Sequence, residues 1–320
     1  MRQHAPAKLL MLHLVIIGLL FAAQYVLPAY QHSNVTRIMV LATYAVGYNV
    51  LMGYTGLLSL GHAMFFAAGL YGAGLPIYYL DFTPLQGLAF GVLCSVVLAF
   101  VFGLLALRTK GVAFLIVTLM FAQALFLTTL YFNEITLGDQ GFVLPESVRV
   151  IAVGDWLLKF SDPDVKYNFA LIVFTVSLIL TLALVRSPVG RILVAIRENE
   201  ARTRMLGYNT FRYKLLSLVI SGAISGLAGA SYALLFAYIG STFVSIQYSI
   251  FPLLWVLLGG LGTTLGPLVG AALMFYLVDF ASDFTSSYLL VVGAVLLILV
   301  LWFPKGIMGT LRERWLPWLP

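Results

Sequence analysis

The residues best suited to chemistry lie in one glycine-rich stretch near the start of the chain. Asn49, Tyr54, Ser59 and His62 are polar side chains separated by glycines, inside a run otherwise apolar enough to cross a membrane. A break of this kind frees backbone amides and carbonyls, which a membrane tolerates only where they are buried in protein or line a wet cavity. Amides, hydroxyls and an imidazole suit small neutral or zwitterionic solutes, so we predict that these four side chains line a solute path.

Catalysis by the same residues has little support in the sequence. His62 is the most interior titratable group, and no carboxylate or cysteine lies near it in the chain, so a histidine hydrogen-bonded at a helix start or packing seam is the competing interpretation. The lone Cys94 cannot form an intrachain disulfide or a cysteine-rich metal site. The chain also lacks a Gly-x-x-x-x-Gly-Lys-Ser/Thr phosphate loop. We therefore predict no catalytic, cofactor or metal site.

Composition places these residues in a membrane protein. Hydrophobic residues make up 62% of the 320 residues and charged residues 9%, with a mean hydropathy of +1.02, whereas a soluble domain carries roughly 25% charged residues. Ten long apolar runs without strand-like alternation predict helices rather than a barrel. They are 9–27, 37–55, 60–80, 85–107, 112–132, 167–185, 215–238, 246–261, 264–280 and 287–303. We expect no Asp, Glu, Lys or Arg in the interior of these runs.

The predicted fold is an all-α integral membrane protein with a single membrane domain over residues 1–320. It is a polytopic bundle of about 8–10 transmembrane helices, since a span needs about 20 apolar residues. The start of 60–80 is rich in glycine and 246–261 is short, so we expect these Gly-rich segments to be broken or re-entrant. The first run is long enough to span and lacks a convincing cleavage site, which favours an uncleaved helix over a signal peptide.

Basic residues predict the orientation. Fourteen of the eighteen Lys and Arg residues fall on one side if both termini share that side, and seven of them lie within residues 186–214. The other side holds only Arg37, Arg149, Lys159 and Lys166. The positive-inside rule then places both termini of this multi-pass protein in the cytoplasm. The net charge of +6 reflects this orientation rather than a nucleic-acid site.

Two connections are long enough to have a function. The outer one spans about 133–166, and the inner one, about 186–214, is hereafter the coupling segment. Apolar residues recur at helical spacing in the coupling segment, Ser187-Pro188 is typical of a helix start, and Gly207 of a helix stop. We therefore predict two short amphipathic helices lying at the inner face.

A second glycine-rich stretch occurs late in the chain, over Gly259–Pro267. Glycine-interrupted segments in both halves are typical of a transporter's path. Glycines also repeat every four residues at Gly262, Gly266 and Gly270, and such stripes allow helices to pack closely. The two interpretations are compatible, and both are retained.

Four segments together resemble one transporter family. They are Asn49–Gly74, Ser187–Glu200, Gly207–Lys214 and Gly259–Pro267, and the similarity continues in order from about residue 35 to Gly309. These segments resemble the LivM-type permease subunits, which are inner-membrane components of branched-chain amino acid ABC importers. Permeases for urea, short amides and some aromatic acids look similar.

The resemblance implies a role for the coupling segment. In such permeases a short cytoplasmic helix, often marked by Glu-Ala-Ala followed by Gly, docks in a groove on the ATPase subunit. Glu200 and Gly207 match the ends of that motif, whereas Arg202 and Thr203 stand where small alanines are usual. The residues implied in ATPase coupling are Arg191, Arg197, Glu198, Glu200 and Gly207.

The resemblance also implies the assembly. The chain would be a permease subunit rather than an enzyme, passing branched-chain amino acids across a bacterial inner membrane. Its implied partners are the lipid membrane, a second homologous LivH-type permease subunit, two cytoplasmic ATP-binding subunits and a periplasmic solute-binding protein. The alternatives are an ABC permease for urea, short amides or aromatic acids, a sodium-coupled secondary transporter, and an intramembrane enzyme.

Overall fold

Helices dominate the computed structural model, which describes residues 5–153 and 156–314. Each of the ten predicted runs forms a helix, because a backbone in lipid must satisfy its hydrogen bonds within its own segment. The helices are α1 Ala5–Ala23, α2 Ala29–Asn49, α3 Ala63–Tyr79, α4 Pro84–Ala106, α5 Val112–Tyr131, α6 Asn133–Thr136, α7 Pro163–Arg186, α8 Pro188–Met205, α9 Thr210–Phe236, α10 Ile246–Gly259, α11 Gly266–Phe284, α12 Tyr288–Trp302 and α13 Gly306–Arg314. Arg2, which contributes to the predicted orientation, lies outside the described residues.

The helices confirm an all-α polytopic membrane fold. Six segments are long and apolar enough to cross a bilayer: Ala29–Tyr54, Pro84–Ala106, Val112–Tyr131, Pro163–Arg186, Thr210–Phe236 and Gly266–Phe284. The four remaining predicted runs form α1, α3, α10 and α12. Among them α3 has 17 residues and α10 has 14.

Helices α3, α4 and α9 pack against one another at the centre of the bundle, and α2 packs against α9. Gly69 of α3 lies against the Gly226 carbonyl of α9, and Gly270 of α11 lies against the Trp255 carbonyl of α10. A Cβ on either Gly69 or Gly270 would overlap these backbone atoms. Gly270, the last residue of the stripe that includes Gly262 and Gly266, therefore allows α10 and α11 to pack closely, as one of the two interpretations predicts.

Arg37 is placed differently from the prediction. Helix α2 begins at Ala29, eight residues before the predicted run, so Arg37 lies inside a membrane-crossing segment rather than at its edge. Hydropathy misses the first turns of α2 because they are polar, with Gln31, His32 and Asn34 among them. Asp279 likewise lies within α11.

The outer connection is folded rather than loose. It contains α6, a 3₁₀ turn at Glu146–Val148, and the antiparallel strands β2 Val150–Val153 and β3 Trp156–Lys159, whose connecting residues 154–155 lie outside the described part of the chain. Strand β1, Phe142–Val143, pairs with β4, Tyr238–Ile239, just after α9. This pairing attaches the connection to the end of α9, and the buried Arg149 donates a hydrogen bond to the Leu234 carbonyl at 3.1 Å.

Candidate functional site

The two glycine-rich breaks meet in the folded chain. Helix α2 continues into a π-helical turn, Val50–Tyr54, and regular structure resumes only at Ala63, while α10 and α11 are separated by residues 260–265. The Asn49 side chain joins the two breaks, because its Nδ2 donates to the Thr263 carbonyl at 2.9 Å and its Oδ1 accepts from the Gly262 amide at 3.0 Å. We call Asn49, Gly53, Gly262 and Thr263 the inner junction.

Glycine is required on both sides of the inner junction. A Cβ on Gly53 would lie 2.6 Å from the Gly262 amide nitrogen. Gly262 has a φ of +67°, in the left-handed region that L side chains rarely adopt. The breaks therefore bring two backbones into direct contact, a relation that the spacing of either stretch alone does not reveal.

His62 is a core residue between α3 and α9. Its side chain is fully buried, and its Nε2 lies 3.0 Å from Ser225 Oγ and 3.1 Å from Ser221 Oγ. The ring stacks on Tyr44, with centroids 6.0 Å apart. Both partners of Nε2 are hydroxyls, and Nδ1 has no hydrogen-bond partner among the described residues.

The other two predicted path residues are also enclosed by protein. Ser59 is fully buried, and its Oγ accepts from the Gly61 amide at 3.2 Å. Tyr54 is 3% exposed, and its hydroxyl has no hydrogen-bond partner among the described residues. Asn49, Tyr54, Ser59 and His62 are thus all buried within the protein.

The coupling segment has the predicted two-helix form. Helix α8 begins after Ser187, whose side chain accepts from the Gly190 amide at 3.2 Å, and it contains a non-helical residue at Asn199. The Asn199 Oδ1 then accepts from the Arg202 amide at 2.9 Å, which caps the second short helix. Gly207, with a φ of +90°, follows the end of α8, and such a conformation favours glycine at a helix stop.

Arg197 connects the coupling segment to the inner junction. Its Nη1 donates to the Gly53 carbonyl at 2.5 Å, and its aliphatic stem lies against Gly56. Its Nη2 also pairs with Glu198 at 2.8 Å. Helix α8 is therefore hydrogen-bonded directly to the backbone of the first glycine break.

Glu200 fastens α8 to the start of α9. Its carboxylate pairs with Lys214 and with Arg204, and it accepts from the Thr210 hydroxyl at 3.1 Å. Partial burial disfavours the ionised form, but the hydrogen bond and charge of Lys214, with Thr210 and Arg204, outweigh it and hold the pKa of Glu200 below its ordinary value.

Other residues of the coupling segment are exposed. Arg191 lies on the exposed face of α8. Met205 and Leu206 are 80% and 71% exposed beside Gly207. Met205 and Leu206 are not among the residues predicted from the sequence. Their position as two adjacent apolar residues after Arg202 and Arg204 is the pattern that could have identified them.

A cavity of about 320 Å³ lies among α2, α9, α10 and α11, and its residue Arg37 stands over Phe236 at the end of α9. We call it the outer cavity; its lining includes Arg37, Tyr232, Tyr248, Phe251, Trp255 and Asp279. None of the four predicted path residues contributes to it. This cavity is not predictable from local sequence patterns, because its lining residues come from helices far apart in the chain.

The described residues contain no group of three or more His, Cys, Asp or Glu side chains that could hold a metal ion.

Comparison with known proteins identifies a family. Residues 32–301 match the model described as branched-chain amino acid transport system / permease component. The chain is 30% identical over 297 residues to the high-affinity branched-chain amino acid transport system permease protein LivM of Escherichia coli (strain K12), covering 87% of this chain and 70% of that protein. It is 25% identical over 299 residues to the corresponding LivH protein of Salmonella typhimurium, covering 87% of this chain and 94% of LivH. No solved structure matches significantly.

Proposed function

Because this chain belongs to the branched-chain amino acid transport system permease family, we propose that it acts as a transmembrane permease subunit of an ATP-binding cassette importer. The relatives named LivM and LivH are permease proteins of branched-chain amino acid transport systems. Branched-chain amino acids are accordingly the proposed solute. The relatives are transport components, so the proposed role is passage of solute rather than catalysis.

The observation that carries the proposal is the bond from Arg197 to the Gly53 carbonyl. An importer driven by separate ATPases needs a mechanical connection between its cytoplasmic face and its solute path. Arg197 supplies one, since any displacement of α8 is transmitted to Gly53 and, through Asn49, to the second glycine break.

The same geometry gives the predicted path residues a role. Asn49, Tyr54, Ser59 and His62 are buried in the conformation described, with the two breaks in contact. A path along them requires the breaks to separate, so we propose that the inner junction is the closed inner end of the path. Displacement of the coupling segment by the ATPase would open it.

Met205 and Leu206 are the proposed docking surface for the ATPase. Exposed apolar residues at the end of a basic segment suit a partner groove that buries them, with the surrounding charges guiding approach. Glu200 would act indirectly, by holding this surface at a fixed angle to α9, and Arg191, Glu198 and Gly207 remain proposed coupling residues. Glu200→Lys would place a third cation beside Arg204 and Lys214. A substitution of Leu206 therefore tests the docking surface more directly.

The proposed assembly contains a second, LivH-type permease subunit, two cytoplasmic ATP-binding subunits and a periplasmic solute-binding protein. The proposed location is a bacterial inner membrane with both termini in the cytoplasm. The seven basic residues between positions 186 and 214 support that orientation.

Purification from the native membrane in a gentle detergent tests the proposal. We expect a second permease and P-loop ATPases to accompany this chain, with ATPase activity stimulated by the loaded binding protein. A chain that purifies alone and carries solute into ATP-free vesicles under a sodium gradient would instead be a secondary transporter.

A variant localises the docking surface. Leu206→Glu should reduce recovery of the ATPase subunits without reducing recovery of the second permease, because it places a charge where the partner buries an apolar side chain. Leu80→Glu is the control, since Leu80 is 65% exposed but lies after α3, away from the coupling segment. Equal ATPase recovery in the two variants would contradict this assignment.

A further inference from the structure

Arg37 carries a charge inside a membrane-crossing helix without an ionic partner. It lies eight residues after the start of α2, about 12 Å along the axis. Among the described residues no carboxylate is within ion-pair distance of its guanidinium, which stands 5.0 Å over the Phe236 ring. Charged groups at membrane depth are costly and usually belong to a solute or ion pathway.

Asp279 provides the opposite charge in the same cavity. It lies five residues before the end of α11, and both of its carboxylate oxygens accept from the Tyr30 hydroxyl at 2.8 Å. Within the described residues no Lys, Arg or His pairs with it. The outer cavity therefore has a cationic group and an anionic group that do not neutralise each other.

The lining of the outer cavity also includes aromatic side chains, which we call its floor. Phe251 and Trp255 of α10 stack with centroids 6.0 Å apart, and Tyr248 packs edge-on against Phe251. The volume of about 320 Å³ is at the lower end of the range of roughly 300–1,000 Å³ typical of small-molecule sites. This aromatic surface can pack against an apolar side chain of a bound solute.

We propose that the outer cavity binds a zwitterionic α-amino acid with an apolar side chain. The guanidinium of Arg37 binds the carboxylate, Asp279 binds the ammonium group, and the floor formed by Phe251 and Trp255 receives the side chain. Guanidinium groups match carboxylates with two parallel hydrogen bonds. This inference rests on the proposed function and adds to it a selective site in the permease itself.

The charge pattern discriminates among the alternative solutes. Urea and short amides are neutral, so neither Arg37 nor Asp279 would gain an ionic partner from them. An aromatic acid without an ammonium group would satisfy Arg37 and leave Asp279 beside a second anion. Only a solute that carries both an anionic and a cationic group can form ion pairs with both Arg37 and Asp279.

Equilibrium binding to the assembled transporter, purified without its binding protein and placed in lipid nanodiscs, tests the proposal. The probes are L-leucine, leucinamide, which lacks the carboxylate, and N-acetyl-leucine, which lacks the ammonium group. We expect leucine to bind at least about tenfold more tightly than either analogue. Equal binding of the three probes by the unaltered complex would overturn the proposal, and this result needs no variant.

Variants assign each charge. Arg37→Gln should weaken leucine binding about tenfold and abolish the preference for leucine over leucinamide, whereas Asp279→Asn should abolish the preference over N-acetyl-leucine. Asp283→Asn, one turn further along α11 and outside the lining, and Lys159→Gln in β3 are the matched controls. Arg37→Lys keeps the positive charge and should retain the preference over leucinamide.

The failure of this inference is distinguishable from failure of the proposed function. ATP-driven uptake by a complex whose leucine binding is unaffected by Arg37→Gln and Asp279→Asn would refute the site and leave the permease role standing. Absence of any ATPase partner would instead refute the permease role.

Discussion

Loss of the Arg197–Gly53 hydrogen bond should weaken coupling more specifically than any other single change in the coupling segment. Arg197→Gln removes the Nη1 donor, which lies 2.5 Å from the Gly53 carbonyl, and keeps a side chain that favours helix. Arg108→Gln is the control, because it makes the same substitution at an exposed arginine that follows α4 and lies outside the coupling segment.

The expected magnitude follows from the bond and its surroundings. A hydrogen bond with a charged donor contributes about 1.5–3 kcal/mol. The Arg197 side chain is 35% exposed, so screening by water places its contribution near the lower value. About 1.4 kcal/mol corresponds to a tenfold change in an equilibrium. We therefore expect the equilibrium constant for binding of α8 to the inner junction to fall about tenfold.

The assay measures ATP hydrolysis and solute uptake together in proteoliposomes that contain the full complex and its binding protein. Arg197→Gln should lower uptake per ATP hydrolysed by about tenfold, with ATPase recovery unchanged. Arg108→Gln should keep the ratio of uptake to ATP hydrolysis of the unaltered protein. An Arg197→Gln complex that is folded, fully assembled and coupled within twofold of the unaltered protein would refute the mechanical connection.

Three further predictions concern stability. Asn49→Leu leaves two buried backbone groups of the second glycine break unpaired, at about 1–3 kcal/mol each, so the melting temperature should fall, and an unchanged value would contradict the bridging role. The pKa of Glu200 lies below its ordinary value of 4.5, so its ion pairs stabilise the α8–α9 junction above that pH and are lost as pH falls through the lowered pKa. Hydrogen exchange in this junction should therefore quicken on acidification in the unaltered protein and show no such dependence in Glu200→Gln. Gly69→Ala should destabilise the fold by about 1–3 kcal/mol through overlap with the Gly226 carbonyl, whereas Gly18→Ala, which meets nothing within 4 Å, should stay within about 1 kcal/mol of the unaltered protein.

The candidate sites were predictable to different degrees. The capped and kinked form of the coupling segment follows from Ser187-Pro188, Asn199 and Gly207, because capping depends on residues within one or two turns. The burial of His62 among hydroxyls of α9 was not predictable, since Ser221 and Ser225 lie about 160 residues away in the chain.

Hydropathy and residue spacing are sufficient to identify a helical membrane protein with glycine breaks in both halves and a basic connection over residues 186–214. Hydropathy and charge bias act on each segment separately, through the cost of placing backbone and charge in lipid. Three features are visible only in the folded chain. Asn49 joins the two glycine breaks, Arg197 donates a hydrogen bond to Gly53, and Arg37 and Asp279 line the same cavity. These contacts depend on how helices rotate and pack against each other, and packing is set by interdigitating small side chains across the whole bundle rather than by any local pattern.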